Sequence, residues 1–95
     1  MTKIELLEKV KCGLGNIPSH LDETIALYVD DVLEYLISAG VPKNLIDLEE
    51  NFIHRKCTGC VIRGVADLWN YGNGDTKLSE FFYQRADQLR GGKRE

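Results

Sequence analysis

Apolar residues return at intervals of three and four through most of this chain, and no stretch alternates cleanly over five or more positions. That pattern predicts helices and leaves strands hard to place anywhere. Thr2 followed by Glu5 forms a capping box that opens a helix from Lys3 to about Cys12, with Ile4, Leu7 and Val10 inward and Leu6 flanking them. Gly13 and Gly15 stop it. After Pro18, Ser19 or Asp22 is placed to cap a second helix, along which Ile25, Tyr28, Val29, Val32, Leu33 and Leu36 form one stripe. Gly40, with Pro42 two positions on, closes that helix.

Residues 43–52 read as a short helical turn or a loop, and the turn is the choice made here. From about Ile53 the apolar positions Cys57, Cys60, Val61, Ile62, Val65, Ala66, Leu68 and Trp69 surround the axis of a third helix, which makes it central. The turn-forming run Asn70-Tyr71-Gly72-Asn73-Gly74-Asp75 ends it. Thr76 or Ser79 then caps a last helix carrying Leu78, Phe81, Phe82, Ala86 and Leu89. The expectation is an all-α fold, a single small domain of about four helices around one core over residues 1–90, with a flexible tail at 91–95.

Length and composition narrow the functional classes. At 95 residues, 43% hydrophobic and 28% charged, the chain suits one compact unit. Its net charge of −3 argues against a protein that coats phosphates. The first residues lack the apolar core of a signal peptide, and the longest uncharged stretch, Tyr35 to Pro42, falls far short of a membrane span. The expected location is the cytosol in which the chain is made, with no membrane partner. Charge is uneven along the chain: residues 1–40 carry three basic and seven acidic side chains, whereas residues 61–95 carry six against five. Asp30, Asp31 and Glu34 at the acidic front, and Arg63 and Arg85 at the more basic end, are candidates for contact between copies in a head-to-tail ring. A plain solvated surface is the other reading.

Little of the chemistry-bearing sequence forms a recognised pattern. His54, Cys57 and Cys60 have the residue types and a spacing that zinc accepts, but a closed site needs a fourth ligand from Cys12 or His20. Two thiols three apart on a helix serve equally well as small core residues, which is the reading preferred here. A redox role for Cys57 and Cys60 requires a strand-led helix start that the pattern lacks. Neither histidine belongs to a nucleophile, base and orienter set, and Gly72-Asn73-Gly74 lacks the Lys and Ser or Thr of a phosphate loop. No catalytic residue, cofactor or enzyme activity is assigned. Trp69 and Tyr71 are either a partner anchor or the cap of the core, and the core is favoured. Arg63 and Asp67 are spaced to pair along the helix.

Three strings, read in order, carry a family likeness. Ser38-Ala39-Gly40-Val41 closes the second helix, Arg63-Gly64-Val65-Ala66-Asp67-Leu68-Trp69-Asn70 fills the third, and Gln88-Leu89-Arg90-Gly91 follows the last. With Asp22-Glu23-x-Ile25 and Leu78-Ser79-x-x-Phe82, this set resembles the phage head-tail connector family sometimes named for its QLRG ending. The resemblance implies a non-enzymatic virion structural protein of a tailed phage or prophage, from the gene group for DNA packaging and head completion. Such a portal adaptor forms an oligomeric ring at the portal protein after packaging, at the virion head-tail junction, and meets a head-completion or tail protein. Packaged DNA would pass through its channel without sequence-specific binding. The resemblance also places Gln88, Leu89, Arg90, Lys93 and Arg94 at the portal contact. The alternative function is a small helical regulatory module that binds DNA or protein, for which Arg63, Arg85 and Arg90 are too interspersed with acids to form a basic face.

Overall fold

A computed structural model describes residues 1–15, 17–70 and 80–89 of the chain. The described residues form four α-helices and one minor two-stranded ribbon: α1 (Lys3–Leu14), α2 (Asp22–Ser38), β1 (Ile46–Asp47), β2 (Phe52–Ile53), α3 (Thr58–Asn70) and α4 (Glu80–Leu89). Short 3-10 turns, Ser19–Leu21 and Arg55–Cys57, lead into α2 and α3. The fold is all-α in class, as the periodicity indicates. None of the described helices is long and apolar enough to cross a membrane.

Local chemistry explains both ends of α1 and the close of α2. The Glu5 backbone N–H donates to Thr2 Oγ1 (3.2 Å), while the Thr2 N–H donates to Glu5 Oε1 (2.8 Å), so both halves of the capping box form. Helix α1 continues past Cys12 to Leu14 and stops at Gly15, whose φ of 97° is open to glycine. Gly13 is not a stop. It lies inside α1 where a Cβ would come within 2.9 Å of Ile62 Cγ2, so its role is to let α1 approach α3. At the end of α2, Gly40 takes a φ of 104°, and the N–H groups of Gly40 and Val41 donate to the carbonyls of Ile37 (3.0 Å) and Leu36 (3.1 Å). This is a Schellman closure with Val41 buried in the same core as Leu36.

Four further expectations need correction. Leu6 and Val10, not Ile4, form the buried line of α1; Leu7 is half-buried and Ile4 is 72% exposed. Two apolar lines at helical spacing run along α1, and docking on α3 selects the one that continues through Gly13. Neither Ser19 nor Asp22 caps α2: the 3-10 turn feeds it through the Asp22 N–H to the Ser19 carbonyl, and the Asp22 carboxylate pairs with Lys11 at 2.8 Å. Residues 43–52 contain one turn closed on the Pro42 carbonyl and then an antiparallel hairpin with Ile46 opposite Ile53 and Asp47 opposite Phe52. Finally, Ile53 is a strand residue, so α3 starts five positions later.

The hairpin is held from outside. Met1 and Ile53 exchange two hydrogen bonds, each 2.8 Å, and the Lys3 N–H donates to Asn51 Oδ1 (3.0 Å). Asn51 itself has a φ of 53°, a conformation that asparagine tolerates better than most residues. Helix α3 lies at the centre, packed against α1, α2 and α4. Its Gly64 sits where a Cβ would approach Phe82 Cε1 to 2.8 Å and Val32 Cγ2 to 2.9 Å, so α2, α3 and α4 converge on a position with no side chain. Trp69 is half-buried against the core, edge-on to Tyr28 at 6.2 Å. Of the expected turn at 70–75, Asn70 is the last residue of α3, while positions 71–75, the caps Thr76 and Ser79, and the tail at 91–95 lie outside the described residues.

Candidate functional site

The one cysteine–histidine cluster that the spacing singled out divides between core and surface. Cys57 immediately precedes α3 and Cys60 lies in its first turn, both fully buried. Cys57 donates weakly to the Leu45 carbonyl (3.9 Å), tying the hairpin to the start of α3. Burial pushes the Cys57 thiol up to about 11 and the Cys60 thiol, further raised by its neighbour Cys57, to about 12. Nearby Lys56 and Arg85 pull the other way and do not offset the loss of water. The thiols are therefore protonated at neutral pH and unsuited to nucleophilic or redox attack. His54 faces solvent, with Nδ1 accepting the Lys56 N–H (3.0 Å) and its ring edge-on to Phe52. No group of three or more metal-ligating side chains gathers among the described residues.

A concavity of about 590 Å³ lies between α1 and the hairpin and is lined by Met1, Glu5, Glu8, Lys9, Phe52, His54 and Arg55. Its charges are mixed, and Glu5 is already committed to the cap. These lining residues offer no hydroxyl or thiol nucleophile beside His54.

The residues put forward for contact between copies fare differently from one another. Asp30 is paired within the chain, to Lys3 at 2.8 Å across α1 and α2. Asp31 and Glu34 are exposed on the outer side of α2. Arg63 reaches Asp67 at 3.6 Å, and Asp67 is itself buried. Arg85 is exposed on α4 and lies over Gly59, its Nη1 3.0 Å from where a Cβ would stand. Of the portal-contact set, Gln88 is exposed and Leu89 buried at the end of α4, while Arg90, Lys93 and Arg94 lie outside the described residues.

Two features were missed by reading the chain alone. Lys56 and Arg85 line one cleft of about 110 Å³ with Cys60, Gln88 and Leu89, although 29 positions separate the two cations. Leu27 is 64% exposed on α2. A signal for it was present, since Leu27 is an apolar residue off the stripe defined by Ile25, Val29, Val32, Leu33 and Leu36. No protein-family model, curated protein or solved structure matches the chain.

Proposed function

We propose that the chain is a head-tail adaptor of a tailed phage or prophage, a structural subunit that assembles as a ring at the portal once DNA is packaged and offers a surface to a head-completion or tail protein. The supporting observation is the ordered set of strings ending in Gln88-Leu89-Arg90-Gly91, whose described residues fall on or beside α2, α3 and α4 in the order the resemblance requires. Gly64, within one of those strings, is where α2, α3 and α4 converge, so that string has a packing reason in this chain. The adaptor performs no catalytic step, and its work is done by surfaces.

Its location is the virion head-tail junction, with the segment from Gln88 to Glu95 directed at the portal. The test is co-expression with the cognate portal protein, followed by pull-down and electron microscopy. A ring of this chain on the portal is the expected result. Failure to capture a folded portal assembly overturns the reading, and salt-sensitive binding to duplex DNA in its place would move the chain to the regulatory class.

A further inference from the structure

The outer side of α2 combines an unused leucine with unused carboxylates. Leu27 has Glu23 one turn before it, Asp31 one turn after it and Glu34 a further turn along the same side. Glu23, Asp31 and Glu34 are exposed, and none makes an ion pair among the described residues. Beside them a groove of about 160 Å³ between α1 and α2 is lined by Ile4, Leu7, Ala26 and Val29 and bridged by the Lys3–Asp30 pair. The surface has an apolar centre and an acidic rim, the arrangement of a specific protein contact.

A surface of opposite character stands on other elements. Lys56, ahead of α3, and Arg85, on α4, flank the cleft whose remaining lining is Cys60, Gln88 and Leu89. Neither cation has a carboxylate partner among the described residues. The Arg85 guanidinium lies across the first turn of α3, its Nη1 3.0 Å from where a Cβ on Gly59 would stand. By contrast, the large concavity at the hairpin mixes Glu5 and Glu8 with Lys9 and Arg55 and offers no single sign to match.

We propose that these two surfaces are the halves of one contact between copies of this chain. Leu27 enters the Lys56–Arg85 cleft of the next copy, and Asp31 and Glu34 pair with the two cations there. The halves lie on different elements of each molecule, so the contact is heterologous and propagates from copy to copy. This deepens the adaptor reading and rests on it, by naming the residues that join neighbouring subunits.

The test uses the full chain in sedimentation velocity over a concentration series, with thermal melting to verify folding. Wild-type protein should gain mass with concentration, less so at high salt. Leu27→Asp should raise the self-association Kd by roughly 30-fold, as for loss of a central anchor. The pair Asp31→Lys with Glu34→Lys, and the pair Lys56→Glu with Arg85→Glu, should each remain monomeric alone. Mixed in equal amounts they should associate again, because each supplies the charge the other lacks. Wild-type protein that stays monomeric throughout, variants that associate like wild type, or folded variants that fail to associate on mixing would each overturn the contact. Portal capture separates this from the parent reading. Variants that still bind the portal while the mixing experiment fails leave the adaptor standing without this interface. Charge-swap rescue without portal capture leaves the interface and removes the adaptor.

Discussion

The seam around Gly64 and the hairpin edge at residues 45–54 hold this molecule together by opposite means. At the seam, Phe82, Val32, Val61 and Val65 are almost wholly buried, and the helices approach so closely that a single methyl group would collide. At the edge, the strands are two residues long, Phe52 is over one-third exposed, and cohesion comes from hydrogen bonds to Met1 and Lys3 some fifty positions away. Packing density governs the first region, and long-range backbone pairing governs the second. The contrast teaches that helix periodicity, which specifies the seam, is silent about the edge.

The largest expected effect comes from the seam. Phe82→Ala should lower unfolding free energy by about 3–5 kcal/mol in urea titration, whereas Phe52→Ala at the edge should cost about 1 kcal/mol or less. Equal losses would break the comparison. The two thiols where the regions meet should give the next effect. Their folded pKa values lie above the ordinary value of 9.0, so the folded state keeps protons that the unfolded chain releases. Their contribution is therefore complete below about pH 9 and lost progressively as pH rises from there through 11 and 12. Replacing both with alanine should flatten that alkaline fall in a melting series, even though the variant starts less stable.

Gly64→Ala should destabilise by about 1–2 kcal/mol, because overpacking against Phe82 and Val32 outweighs roughly 1 kcal/mol gained in helix propensity. A net gain would mean that the seam relaxes. The smallest effect is expected at Asn51. Asn51→Ala removes the acceptor for the Lys3 N–H and disfavours the positive φ, for about 1 kcal/mol, while Asn51→Gly should lose less. Chemical denaturation of the two variants side by side resolves conformation from hydrogen bonding.

Legibility in the sequence follows the same division. The Gly40 closure, the Thr2 cap and the stripe of α2 were readable because each depends on residues within a turn or two. The exposure of Ile4 is not legible, because either of two apolar lines on α1 satisfies the period and the position of α3 chooses between them. The hairpin was invisible because its strands are shorter than any alternation can reveal. The thiols of Cys57 and Cys60 were readable as core from helix spacing alone. The Lys56–Arg85 cleft was not, since it exists only where the start of α3 meets the end of α4.

Helix α2 has the further property that its two sides answer to different demands. Ile25, Val29, Val32, Leu33 and Leu36 are locked into the interior, while Glu23, Leu27, Asp31 and Glu34 can change for a few tenths of a kcal/mol in stability. Inheritance can therefore edit the outer letters and leave the inner ones untouched. A lineage carrying this domain can drift toward new neighbours without first rebuilding the fold that carries them.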